Sequence, residues 1–267
     1  MQAKTIITAL LFFVLGAGSA SADIGPFNPD TAGKEGRIIA ERVEEFNRPA
    51  KDLSILASMT LLAGERVTDT RQVAIRQKNY GATDRYTMRF LDSIKRGTTF
   101  LTIENEDRDN DQYLYIPALG RARKIAVNDR QNSFEDTDFS YEDLGGRKLD
   151  DYTHERRSDA VFNDRECFRV ESRAKDSSAR YPRQLSWIDK ENYLPLQVRF
   201  FGREGRLERV IVSGEVQKIE GIHIPFRTVA RDLRASHTTT MEVREVEVNT
   251  GLDNSSFDPD RMGATWR

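Results

Sequence analysis

Two neighbouring stretches occupy the middle of the chain: Tyr115-Ile116-Pro117-Ala118-Leu119-Gly120-Arg121-Ala122-Arg123-Lys124-Ile125 and Ser133-Phe134-Glu135-Asp136-Thr137-Asp138-Phe139-Ser140-Tyr141-Glu142-Asp143-Leu144. The first ends as a strand: Arg121 and Arg123 share one face, Ala122 lies between them, and Ile125 follows. The second belongs to the longest run that fails to alternate, residues 126–147. It sets Phe134, Phe139 and Tyr141 among acidic and small residues and closes on Gly145-Gly146. A turn needs far fewer residues, so this segment reads as a functional loop or a lid.

On both sides the chain alternates. Ile55, Ala57, Met59 and Leu61 share one strand face, and Val73 with Ile75, then Tyr86, Met88 and Phe90, then Phe100, Leu101 and Ile103 continue the pattern. Residues 112–116, 167–170, 185–188, 196–201, 207–212 and 241–248 follow it. Turn chemistry separates the runs at Asn79-Tyr80-Gly81, Arg96-Gly97, 107–110, 202–205 and Glu220-Gly221. Roughly ten to twelve strands with such short connections make an antiparallel meander, because parallel pairing needs a long crossover.

One helix precedes the strands. Over 36–46, Ile39, Val43 and Phe46 fall at i, i+4 and i+7; Asp30 or Thr31 can cap its start and Pro49 stops it. Residues 1–22 read as an export signal: Lys4, an apolar run from Ile6 to Leu15, then Ala20-Ser21-Ala22 for cleavage after Ala22. The run falls short of the about 18 residues of a membrane span, and no second run approaches that length. Residues 23–267 then form one soluble, exported domain. Cys167 is the only cysteine, so neither an internal disulfide nor acylation of a cysteine after the leader is expected.

Composition narrows the function. Of 267 residues 31% are charged, with a formal net charge of −2 that loses one further positive unit with the leader. The charges are mixed along the chain, and nucleic acid is not an expected partner. His154, His223 and His237 lack metal-ligand spacing, and the acidic run 107–111 lacks the Gly and Glu of a calcium loop, so no metal or cofactor is expected. No nucleophile elbow, phosphate loop or dinucleotide fingerprint occurs, and the carboxylates Asp136, Asp138, Glu142 and Asp143 show no mark of a paired acid and base. Enzymatic activity has no warrant in the residues. What remains is the apolar inventory. Met59, Met88, Phe90, Phe100, Tyr113, Tyr115, Leu185, Trp187, Val198 and Phe200 are, by strand parity, candidates for the concave face of a curved sheet. They either fill a core or line a cavity for an apolar ligand, and methionine suits an adaptable lining.

The two central stretches resemble the signature of outer-membrane lipoprotein-sorting proteins, the LolA/LolB-like superfamily. There a P-x-x-x-R-x-R-[KR]-I strand precedes a segment of the form S-F-x-x-[ST]-D-F-[ST]-Y-E-D-L. Gly251-Leu252-Asp253 and Phe257-Asp258-Pro259 are similar to the family's C-terminal end. The resemblance implies a mainly β fold, an unclosed antiparallel barrel of about eleven strands with an N-terminal helix and a helical or loop plug. It implies a periplasmic carrier of lipoprotein or lipid acyl chains, with an RND-type inner-membrane exporter as donor. In that frame Phe134, Phe139 and Tyr141 would seat the segment on the barrel. Arg121 and Arg123, with Lys124, would either pair with Asp138, Glu142 and Asp143 or meet an anionic headgroup or partner protein.

Overall fold

The computed structural model describes residues 24–46 and 51–264, together with Thr5 and Ile6, which pair with Arg147–Lys148. The rest of the expected leader, and Pro49, lie outside the described residues. Helix α1 spans Ala32–Phe46. One antiparallel sheet holds thirteen strands. In chain order these are β1 (Asp52–Ala63), β2 (Arg66–Asn79), β3 (Asp84–Phe90), β4 (Thr99–Ile103), β5 (Asp111–Ile116), β6 (Arg121–Lys124) and β7 (Tyr152–Phe162). Then follow β8 (Arg165–Ala174), β9 (Arg183–Asp189), β10 (Pro195–Phe201), β11 (Leu207–Ile219), β12 (Ile222–Asp232) and β13 (His237–Val248).

The spatial order is β6-β5-β4-β3-β2-β1-β13-β12-β11-β10-β9-β8-β7. Two meanders therefore meet at the β1–β13 pair, and β6 and β7 are the free edges of an unclosed barrel. The chain between those edges, residues 125–151, has no strand of the sheet and must travel from one edge to the other. It is the plug. Tight turns hold the meanders together: Asn163-Asp164 and Glu220-Gly221 both have positive φ and join paired strands directly, as a two-residue hairpin requires. Register shifts in the β1–β2, β13–β1, β7–β8 and β9–β10 pairs bend the sheet.

The sheet has two strands more than the resemblance implies, and the residues explain which ones escape a reading by alternation. In β7 the inward positions are His154 and Arg156, both buried, so polarity hides the strand. In β12 Pro225 interrupts the pattern.

Helix α1 begins four residues earlier than its apolar spacing suggests, because Gly33 and Gly36 carry no apolar signal. Gly36 is where the helix touches β7: a Cβ there would lie 2.7 Å from the backbone nitrogens of Glu155 and Arg156. The stripe buries Ile39 against Phe168, Val170, Ile188 and Tyr193, with Val43 and Phe46 packed beside them. Arg156 is buried beneath the helix, 2.7 Å from Glu35 and bidentate to Asp159 at 2.8 and 3.0 Å. At the other end of the chain, Asp52 accepts hydrogen bonds from the N–H groups of Thr250, Gly251 and Leu252. This turns residues 249–264 back across β4, β5 and β6, where Phe257 and Met262 pack on Leu101.

Candidate functional site

Directly opposed residues of an antiparallel pair point to the same face. The register therefore traces one continuous concave surface: Leu114 opposite Phe100, Phe100 opposite Met88, Met88 opposite Ile75, and Ile75 opposite Ile55. Across the β1–β13 seam, Met59 faces Met241, and Thr239 faces Ala230, which in turn faces Ile211 and then Val198. Met59, Met88, Phe90, Phe100, Val198 and Phe200 all belong to one buried cluster on this face.

Tyr113, Tyr115, Leu185 and Trp187 do not, which corrects the parity expected for them. Tyr113 is opposite Leu101 and belongs with Tyr115 to the cluster under Phe257 and Met262. Leu185 and Trp187 oppose Arg199 and Gln197, and the Arg199 guanidinium lies 4.5 Å over the Trp187 ring. Their apolar cluster contains Cys167, Leu194 and Leu196. On the inward face of β9, Gln184 and Ser186 lie opposite Phe200 and Val198, and only Ile188, under α1, is apolar. A large apolar residue marks a strand as half-buried without saying which half faces the hollow.

The hollow is occupied by the plug. Ser133 and Ser140 form a β-bridge, the Phe134 N–H donates to the Phe139 carbonyl (2.7 Å), and Glu135 and Asp136 take the left-handed conformation at the tip. This small hairpin presses Phe134 and Phe139 into the main cluster. Phe134 stacks on Phe90 at 5.7 Å and meets Tyr141 edge-on at 5.4 Å, while Phe100 touches both Phe134 and Tyr141. Helix α2 (Tyr141–Gly145) follows at once, started by a capping box in which Ser140 and Asp143 satisfy each other's backbone N–H groups.

Polar contacts fasten the plug at several points of the wall. Asp143, fully buried, is held bidentately by Arg209 of β11 at 2.5 and 2.8 Å and by Arg147 at 3.2 Å. Burial raises its pKa, but the two guanidinium groups outweigh that and hold the carboxyl below its ordinary range. Arg209 also donates to the Asp138 carbonyl (3.1 Å) and lies 4.1 Å over the Phe200 ring. Arg71 of β2, buried and 5.5 Å over Phe90, donates to the Glu135 carbonyl at 2.6 Å. The Asp138 carboxylate accepts from Thr239 (2.7 Å) and lies 2.8 Å from His237 Nδ1. Lys95 reaches Glu135 and Asp136 at 2.9 and 3.0 Å. Where the plug returns to β7, Glu142 pairs with Arg147 and Tyr152, beside a polar cleft of about 320 Å³ that also contains Arg130.

These pairings correct the expectation for the signature charges. Asp138, Glu142 and Asp143 turn to His237, Arg147 and Arg209, not to Arg121 and Arg123. Arg121 and Arg123 are exposed on the edge strand, and Lys124 pairs with Asp111. Arg71, Arg147 and Arg209 carry no motif that singles them out. Parity with Ile211 does place Arg209 on the buried face of its strand, and that was the available signal.

A family model described as "Uncharacterized protein" matches residues 82–264, from β3 through the plug to the C-terminal strap. Similar solved structures include a domain named for outer membrane lipoprotein sorting, from Vibrio parahaemolyticus. It is 24% identical over 86% of this chain and 99% of that one, with a TM-score of 0.80. The chain belongs to the family of that model, and its fold is LolA/LolB-like.

A DUF1329 family protein from Desulfovibrio piger is 22% identical over 87% of this chain and 98% of its own, TM-score 0.78. A LolA superfamily protein from Nitrosomonas europaea is 17% identical over 84% and 97%, TM-score 0.63. No protein of curated function matches the chain. The LolA-like barrel thus accounts for the unpaired edges and the long connection between them. Among the described residues no helix is long and apolar enough to cross a membrane, and no group of His, Cys, Asp and Glu is arranged to hold a metal ion.

Proposed function

We propose that the chain is an exported, non-enzymatic carrier that takes acyl chains of a lipoprotein or lipid into the concave face of its half-barrel and moves them towards the outer membrane. One observation carries this reading. From β5 round to β10 the concave face carries one buried apolar cluster, and its central cover, the plug, is joined to the wall by side-chain contacts and not by strand pairing to either edge. Withdrawing Phe134, Phe139 and Tyr141 would leave an apolar surface that an acyl chain can replace, at about 0.8 kcal/mol for each buried methylene. The exchange needs no nucleotide, only an acceptor with higher affinity for the cargo. Cleavage of the leader after Ala22, release into the periplasm without lipidation, and an RND-type inner-membrane exporter as donor complete the reading implied by the resemblance.

The packing of the hollow by the plug's own aromatic side chains favours a second reading, a partner-binding module of an envelope export or assembly complex with a filled interior. Native mass spectrometry of protein purified without detergent separates the two. The carrier reading expects co-purifying lipid that a bulkier residue at Phe100 displaces. A lipid-free protein whose interior excludes hydrophobic dyes and added fatty acid would overturn it.

A further inference from the structure

Seven large apolar residues are exposed among the described residues, and five of them gather at one end of the strands: Val67, Leu91, Ile94, Leu119 and Leu233. They sit on or beside the β1–β2, β3–β4, β5–β6 and β12–β13 turns, which an antiparallel meander places at the same rim. Direct contacts join the turns in two pairs. Gly64 N–H donates to the Ser236 carbonyl (2.8 Å), and the Leu91 N–H, at the start of the next turn, donates to the carbonyl of Gln72 on β2 (2.8 Å). A Cβ on Gly97 would come within 3.0 Å of the Pro117 ring. Ile94 is 93% exposed at the tip of its loop and Leu119 57% exposed on the neighbouring turn.

Cations interleave with these tips: Arg66, Lys95, Arg96, Arg121 and Arg234. Lys95 is taken by Glu135 and Asp136, and Arg234 by Glu208. Arg66, Arg96 and Arg121 are exposed and have no carboxylate partner among the described residues. The turns themselves contribute only Glu65 and Asp92 on the acidic side, and Asp92 accepts from the Gln72 N–H.

We propose that this rim docks on an anionic lipid bilayer. Single apolar tips on four separate turns, with free guanidinium groups between them, form no groove for a peptide. They match a lipid surface into which apolar side chains dip while cations stay at the headgroups. The plug hairpin tip lies at the same rim, through Lys95 to Glu135 and Asp136 and His237 to Asp138, so docking sets the mouth of the barrel against the bilayer. The proposal does not depend on what the barrel carries.

The test uses the chain expressed from Met1 and purified from the soluble fraction, mixed with phosphatidylglycerol or phosphatidylcholine vesicles. Sedimentation with phosphatidylglycerol is expected, falling as salt screens the headgroups. Arg96→Gln and Arg121→Gln should each weaken binding by about fivefold. Ile94→Ser with Leu119→Ser should weaken it by about tenfold together while leaving the unfolding midpoint unchanged. Ile94→Cys offers a second readout, because Cys167 is buried and its thiol is pushed up to about 11. An environment-sensitive dye at residue 94 should shift to the blue on vesicles, and the same dye on Val161→Cys, at the opposite end of the strands, should not. Equal shifts at both positions, variants that bind like wild type, or a wild-type chain left in the supernatant at low salt would each overturn the proposal.

Discussion

Asp143 and Arg209, 66 residues apart, form a bidentate pair at 2.5 and 2.8 Å inside the barrel, joining the plug to strand β11. Asp143 is fully buried and Arg209 nearly so, and Arg147 adds a second cation to the same carboxylate. Arg209 has Asp143 as its carboxylate partner, whereas Arg147 also pairs with Glu142.

Asp143→Asn should therefore destabilise the fold by about 3–5 kcal/mol, the cost of leaving buried guanidinium groups uncompensated. Urea unfolding measures it. Asp143→Leu combined with Arg209→Met should recover much of the loss, because removing both charges removes the desolvation penalty. If the double variant is no more stable than the single, the pair is not the interaction at stake.

The same carboxyl sets a pH dependence. Its folded pKa is lowered, so its contribution is fully present above the unfolded value of about 3.9 and is lost as pH falls through the lower folded value. Unfolding free energy measured below about pH 4 should drop more steeply for wild type than for Asp143→Asn.

Gly36→Ala places a methyl group against the β7 backbone, where nothing flexible can yield. The expected cost is about 1–3 kcal/mol, with faster hydrogen exchange in α1 and β7 than in β1 and β2. An unchanged exchange pattern would mean that the helix shifts without loss.

Phe100 and Trp187 offer a paired test of which face binds cargo, since they belong to different clusters. Phe100→Trp should reduce co-purifying lipid by several-fold, whereas Trp187→Phe should leave it unchanged. Equal loss in both would place the lipid elsewhere. In both variants the unfolding midpoint reports overpacking separately.

Cys167 is buried and burial pushes its thiol up to about 11, so it should resist thiol reagents at neutral pH in native protein and react at once in denaturant. Fast native labelling would contradict the packing of its cluster.

Much of the architecture is legible locally. The alternation in β1, the Glu220-Gly221 turn and the apolar stripe of α1 are consequences of spacing within a few residues, and spacing is what a sequence displays. The long non-alternating run between β6 and β7 likewise announces itself as something other than a turn, with Phe134, Phe139 and Tyr141 conspicuous in acidic surroundings. Strands with polar inward faces, β7 above all, leave no such trace.

Tertiary structure alone decided what those residues meet. Asp138, Glu142 and Asp143 stand close in sequence to Arg121 and Arg123, yet they pair with His237, Arg147 and Arg209, two of them on distant strands. Curvature and register bring those strands under the plug, and both are sums over many strand pairs and bulges that no local pattern contains. The same holds for Tyr113 and Trp187. Composition says that one face of each strand is apolar, but which face looks into the hollow depends on how the whole sheet curls and on what the C-terminal strap covers.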